Sequence, residues 1–446
     1  MLAAAVAIGC AASARPATAV SDEAIAPGIA LASFDSLWSK VRGTYVDTAF
    51  VSTTWMAVRD SLRPRAATIT SRNSLARLFA EMLRHIPDSH FYIIPASAAT
   101  DESSAGASDG KGTTGLSVRL ASNGAVAWRV EPGSAAARAG IVPGEIVTRV
   151  GAKDARLSVA RVRALPVAAQ QRALSELLHA LNGALSRGVG DSVRVEVASG
   201  DRGLVGVRTL VAAPAKGTVS QFGNLPPIAG LVRTARIPVG GSRCVGTIAF
   251  NIWLPVLGPD LQRAVDSVRS CDGVIVDLRG NPGGVGAMVM GFGGYFVDST
   301  RSLGTMRTRL VSLEFVINPR RSRDDGSRVA PFIGPLAILV DPMTASTSEI
   351  FATGMQRIAR ARVFGERSAG AALPALMERL PSGDVFVHAV ADFTDPSGRR
   401  IEGAGVVPDE LVPLTRKDLA AGKDAPLEAA IRWIIAGGRN VPVPGR

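Results

Sequence analysis

Gly273-Val274-Ile275-Val276-Asp277-Leu278-Arg279-Gly280-Asn281-Pro282-Gly283-Gly284 is the stretch whose reading decides the fold. Its unbroken apolar run predicts a strand buried on both faces, as in a parallel sheet covered by helices. The glycines that follow let backbone N–H groups converge, which an oxyanion needs, although an ordinary strand-end turn fits as well. A second buried strand, Leu336-Ala337-Ile338-Leu339-Val340, runs into Asp341-Pro342-Met343-Thr344-Ala345-Ser346-Thr347-Ser348-Glu349-Ile350. There small residues precede a helix predicted over about 348–361 and place a hydroxyl near its positive end. Taken singly, Ser346 reads as a helix cap sooner than as a nucleophile. Leu261, Ala264, Val265 and Val268 fit a helix covering one face of the sheet. Beyond Pro238 strands and helices alternate to the C-terminus, so 214–446 reads as an α/β domain.

Upstream, 22–95 is helical in pattern, with Leu75, Leu78, Phe79, Met82, Leu83 and Ile86 at helix spacing behind Ser74 as cap. It ends in Pro87-Asp88-Ser89-His90-Phe91-Tyr92-Ile93-Ile94-Pro95, a short extended run between prolines. Residues 96–112 read as a linker. Short alternating strands fill 113–213, with an amphipathic helix over Gln170 to Leu185, and 214–238 is a connector containing Pro226-Pro227. Arg320 to Arg328 reads as a charged loop, and Pro426 to Ile435 as a terminal helix capped by Asp424.

With 446 residues and 47% apolar content the chain can bury more than one core. Its net charge of +12 is scattered, and aromatics are 5%, so neither clustered charge nor stacking rings point to nucleic acid. Residues 1–21 read as a leader, with Ala17-Thr18-Ala19 resembling a signal-peptidase site, which predicts export to a periplasmic or extracellular location. Ile8-Gly9-Cys10 is a poor match to a lipoprotein attachment site and leaves a lipid anchor open. No later stretch is long enough to span a bilayer. Cys244 and Cys271 each precede a strand-like run; as parallel neighbours they could bond, and two free thiols are the alternative. No Cys/His spacing suggests a metal site, and no cofactor is indicated.

Together the two turns resemble the S41 peptidases, the family of C-terminal processing proteases and the tricorn core protease. The 273–284 segment looks like the family's strand and oxyanion loop, and Ala345-Ser346-Thr347-Ser348-Glu349-Ile350-Phe351 is similar to its nucleophile turn. In that register the reactive serine lies three residues before the glutamate, which selects Ser346 over Ser348. The resemblance implies a crotonase-like α/β core with a helical N-terminal domain and an inserted PDZ domain, and oxyanion donors at Gly283, Gly284 and Thr347. Where the Ser-Lys branch closes a Gly-Glu-x-Thr-x-Gly-Lys segment on its base, this chain reads Gly365-Glu366-Arg367-Ser368-Ala369-Gly370-Ala371, so a Ser-Lys dyad is excluded at that position. The tricorn-like branch instead uses a histidine preceded by serine and a glutamate in a glycine-rich tail. Ser89-His90 and Glu402, in Ile401-Glu402-Gly403-Ala404-Gly405-Val406-Val407-Pro408-Asp409, match both. Imidazole suits the task because a serine hydroxyl needs an adjacent base working near neutral pH. Glu402 would orient the base, Ser89 would bridge them, and His85, His179 and His388 sit in ordinary structural places. Asp277 and Arg279 read as an ion pair bracing the loop.

Glu131-Pro132-Gly133-Ser134 through Gly140-Ile141-Val142-Pro143-Gly144-Glu145-Ile146-Val147 resembles the PDZ signature of processing proteases, with Gly115, Leu116, Ser117 and Val118 similar to its carboxylate loop and pairing edge. A PDZ reduced to a rigid spacer is the bland alternative. The resulting expectation is a serine endopeptidase acting on exported polypeptides. A silent peptide- or lipophile-binding protein, or a PDZ scaffold, is its rival.

Overall fold

The computed structural model describes residues 22–96, 111–121, 124–199, 204–221 and 227–438. The leader 1–21 with Cys10, most of the 96–112 linker and Pro226 lie outside the described residues.

Helices Ile29–Thr44, Thr48–Ser52, Thr54–Ala66 and Arg72–Leu83 form the first unit. Their apolar stripes bury Phe34, Leu37, Val41, Trp55, Leu75, Leu78, Phe79 and Met82 in one core. The last of these helices starts earlier than the sequence suggested: Ser71, not Ser74, is its cap and accepts from the Ser74 N–H. Nor is the unit closed by its own residues. Tyr92–Ile94 pairs antiparallel with Val385–Ala389, which pairs with Ala375–Arg379, so that Leu373, Leu380 and Phe386 complete the helical core from far along the chain.

Strands Leu116–Ala121, Gly124–Val130, Ile146–Val150, Ser192–Ser199 and Leu204–Val211 make an antiparallel sheet in that order. The helix Val167–Leu185, which starts just before the expected Gln170, closes this second core through Leu181 and Leu185.

The third unit is a six-stranded sheet in the order Val232–Pro238, Cys244–Phe250, Gly273–Asp277, Leu336–Val340, Arg362–Gly365, Glu410–Leu411. Only its first pair is antiparallel. Alternate residues of the central strands point to opposite helix layers, as the two-fold strand repeat requires. Val274, Val276 and Ile338 meet Leu261, Val265 and Phe351, whereas Ile275, Ala337 and Leu339 meet Ala429, Ala430 and Ile434. The parallel order also brings the turns after Asp277 and Val340 to the same carboxyl edge, where α/β sheets place their sites. Among the described residues no helix is long and apolar enough to cross a membrane.

Cys244 and Cys271 stand at the same end of two parallel strands, and the structure joins them in a disulfide with 4.9 Å between their Cα atoms. By chain-entropy reasoning a loop of 27 residues stabilises the fold by about 3.5 kcal/mol. Thiol counting on denatured, unreduced protein is therefore expected to find neither cysteine free. The double variant Cys244→Ser/Cys271→Ser should lose about 3 kcal/mol in chemical denaturation.

Candidate active site

Ser346 ends the turn that follows the fully buried strand Leu336–Val340 and stands just before the helix Thr347–Arg357. Its backbone is left-handed, at φ 55°. Glu349, three residues on and wholly buried, holds that bend. Its carboxylate accepts from the N–H groups of Ser346 (3.0 Å), Gly370 (2.7 Å) and Ala371 (2.9 Å) and from the Ser368 hydroxyl. Burial pushes this carboxyl up to about 7 while the four donors pull the other way. In addition, the Ser346 N–H donates to the Ala371 carbonyl at 2.7 Å.

The glycine loop presses against this turn from the other side. A Cβ on Gly283 would lie 2.6 Å from the Cβ of Ser346, and Gly283 and Gly284 have φ of 102° and 138°, so no larger residue fits there. Asn281, completely buried, ties the loop down. Its Oδ1 accepts from the Gly283 N–H (3.0 Å) and its Nδ2 donates to the Phe250 carbonyl (2.9 Å). Of the three expected oxyanion donors, Gly283 thus has its N–H already engaged. The Gly284 and Thr347 N–H groups make no hydrogen bond among the described residues, and the Thr347 hydroxyl donates to the Gly284 carbonyl at 2.8 Å.

Ser89, His90 and Glu402 meet although 313 positions separate the first from the last. Glu402, 8% exposed, accepts from the Ser89 N–H (2.7 Å), the Ser89 hydroxyl (2.9 Å) and the Ala372 N–H (2.8 Å). Ser89 Oγ lies 2.7 Å from His90 Nδ1. Because the single hydroxyl proton is given to the carboxylate, Ser89 can only accept from the ring. That puts the imidazole proton on Nδ1 and leaves Nε2 as the basic nitrogen. His90 is itself left-handed at φ 62°, and desolvation, with Arg172 nearby, lowers its pKa to about 4. Burial raises the Glu402 carboxyl against its three donors. The two clusters join through adjacent residues, since Ala371 bonds the Ser346 turn and Ala372 bonds Glu402. No hydrogen bond joins Ser346 to His90 themselves.

The neighbouring candidates have other partners. Ser348 is fully buried and accepts from Trp253 Nε1 at 2.8 Å. Asp277 and Arg279 form a buried bidentate pair extended to Asp424. His388 is buried against Glu378 at 2.6 Å, while His179 lies on the Val167–Leu185 helix and His85 follows the Arg72–Leu83 helix. Gly115 and Leu116–Val118 lie at the open edge of the second sheet. Even so, the Gly115 N–H donates to Thr113 Oγ1 at 3.0 Å, and both backbone groups of Val118 are bonded at 2.9 Å by the Asn182 amide. Sequence reasoning missed the structural work of Glu349, Asn281 and the buried Arg119–Asp341 ion pair. For Glu349 the signal was present, since Ser-x-x-Glu at a helix start is a capping pattern. Among the described residues no cluster of His, Cys, Asp or Glu could hold a metal ion.

Residues 245–412 match the family model described as Peptidase family S41. Residues 31–84 match the Tricorn protease C1 domain. The carboxyl-terminal-processing protease of Synechocystis is 25% identical over 222 residues, 49% of each chain. Carboxyl-terminal-processing peptidase 2 of Arabidopsis thaliana, a chloroplastic protein, is 24% identical over 85% of this chain and 68% of its own. The stretch matched to the Synechocystis relative thus spans about half of that protein (49%). Among solved structures, the photosystem II D1 C-terminal processing protease has a TM-score of 0.57 at 19% identity, covering 91% of this chain and 97% of its own. Mature CPAF has a TM-score of 0.60 at 13% identity, covering 93% and 99%. The chain therefore has S41-peptidase relatives and shares their mixed α/β fold.

Removing the Glu349 carboxylate would leave three donors unpaired, the Ser368 hydroxyl and the Gly370 and Ala371 N–H groups, while the Ser346 N–H keeps the Ala371 carbonyl, so Glu349→Ala is expected to cost about 3 kcal/mol or more in chemical denaturation. Glu349→Gln, which keeps one acceptor oxygen, should lose less.

Proposed function

We propose that this protein is a serine endopeptidase that cleaves exported polypeptides through an acyl-enzyme on Ser346, with His90 as general base. The observation that carries the reading is conformational. Only three non-glycine residues among those described have positive φ, and two of them are His90 and Ser346. Such backbones cost on the order of 1–3 kcal/mol each and persist where surrounding bonds impose them, typically at functional sites. Here the Glu349 and Glu402 networks impose both.

In this reading His90 Nε2 takes the Ser346 proton as the hydroxyl attacks the scissile carbonyl, then returns it to the leaving amine. The Gly284 and Thr347 N–H groups receive the oxyanion, and Gly283 shapes the loop. Ser89 relays the orienting effect of Glu402 while holding the proton on Nδ1. The 111–213 unit serves as a PDZ-like module for substrate C-termini, and export follows from the leader. The rigid-spacer alternative has Asn182 in its favour, because a peptide adding to the Leu116–Val118 edge must first displace that amide.

A fluorophosphonate probe should label Ser346 in the wild type and not in Ser346→Ala. His90→Ala and Ser346→Ala should be similarly inactive, by a factor of about 10³ or more, and Glu402→Gln less impaired. A folded His90→Ala enzyme with near wild-type turnover would place the base elsewhere. Since only neutral imidazole accepts the proton, and desolvation lowers His90 to about 4, kcat/KM should stay high into mild acid and fall as pH drops through that region. Asn182→Ala should tighten binding of a peptide with a free C-terminal carboxylate over its amide; equal binding of both would leave the unit as a spacer.

A further inference from the structure

Between the second unit and the core lies a cleft of about 530 Å³, bounded at one side by Gly115 and Ser117 and at the other by Gly280. Gly280 opens the loop whose Gly283 packs on Ser346, so the cleft runs from the 115–117 edge to the start of the loop that borders the nucleophile turn.

Its wall is cationic. Arg119, Arg129, Lys216, Arg233 and Arg279 line it against a single carboxylate, Glu131. The compensating acids stand behind the wall: Arg119 is paired with Asp341, and Arg279 with Asp277 and Asp424. Arg233 is paired with Glu131 at 2.5 Å. Arg129 differs from these. Its guanidinium makes no hydrogen bond or ion pair among the described residues and lies 4.4 Å from the centroid of Trp128. The same indole is approached by Arg119 at 4.1 Å and Arg279 at 5.4 Å. Three guanidiniums around one ring repel each other, Asp277 attracts Arg129 without bonding it, and a half-buried guanidinium that finds no hydrogen-bond acceptor among the described residues is costly unless a ligand supplies one. Desolvation accordingly lowers the pKa of Arg129.

We propose that this cleft selects substrate chains bearing a carboxylate, and that Arg129, held by Trp128, is the residue that reads it. The proposal rests on the endopeptidase reading and adds the substrate class. A planar guanidinium presents a fork that matches a carboxylate bidentately, and in a cleft walled by protein the pair is screened less than at an open surface. The carboxylate can belong to an acidic side chain or to the chain terminus.

Four peptides of one sequence separate the two sources, combining Glu or Gln at an internal position with an acid or amide C-terminus. Binding to Ser346→Ala protein, measured by fluorescence anisotropy, should be about tenfold tighter for a carboxylate-bearing peptide than for its neutral counterpart, and the arm showing this names the source. Adding Arg129→Gln should abolish that preference, whereas Arg129→Lys should retain part of it as a point charge. Raised salt should weaken the preference. Equal binding of all four peptides, binding of none, or an unchanged preference in folded Arg129→Gln would overturn the proposal. Wild-type cleavage keeps the two readings apart. Equal kcat/KM on all four peptides sinks carboxylate selection and leaves the endopeptidase standing, while no cleavage and no fluorophosphonate labelling sinks the endopeptidase itself.

Discussion

The buried carboxylate of Glu349 is the constraint from which the rest of the site follows. A left-handed serine at the start of a helix is unstable by itself, and the bend survives because one acceptor group collects donors from both ends of the arrangement. Two of those donors belong to Gly370 and Ala371, so the same carboxylate fixes the strap that reaches across to Glu402 through Ala372. Glu402 in turn holds Ser89 and, through it, the ring of His90. A helical unit that is distant in sequence is thereby registered against the core through the buried Glu402 side chain, itself held by the Ala372 N–H.

The sheet supplies the other half of the geometry, and this half was legible in the sequence. Uninterrupted apolar runs at 273–278 and 336–340 imply strands covered on both faces, and parallel neighbours must present their following turns at one edge. The two turns proposed to carry the chemistry stand at one edge for that reason. What the sequence could not show was pairing over long separations. Nothing in Tyr92–Ile94 announces Val385–Ala389 as its partner, so the helical unit looked self-contained when its core is completed by residues of the last third of the chain. The Asn182 amide on Val118 is hidden for the same reason, as a single polar residue on an amphipathic helix reads as its solvated face. Ser71 against Ser74 is a smaller matter of one turn, where two serines in one short segment both fit a cap.

Of the proposed site residues, Ser346 and the glycine loop have a local physical signature, whereas His90 and Glu402 became readable only through the motif resemblance. Their spacing carries no periodicity that would bring them together. The substitution at Ala371 makes physical sense in the structure. That residue donates its N–H to Glu349 and accepts the N–H of Ser346, so the position contributes through its backbone and retains its structural place without an amine.

The order Glu402, Ser89, His90 also bears on electrostatics. A carboxylate in direct contact with an imidazole favours the charged ring, because an opposite charge within a few ångströms stabilises the protonated form. A general base, the role proposed for His90, must avoid that outcome in its resting state. Interposing a hydroxyl separates two effects that a direct contact would combine: Ser89 accepts from Nδ1 and so fixes the tautomer, while its proton goes to the carboxylate and satisfies the buried acid. Burial together with the cationic Arg172, which donates to the Pro87 carbonyl at 2.9 Å, then keeps the ring neutral. In the proposed mechanism the arrangement orients the imidazole as a third triad member would, without charging it, and leaves its Nε2 lone pair available to take a proton.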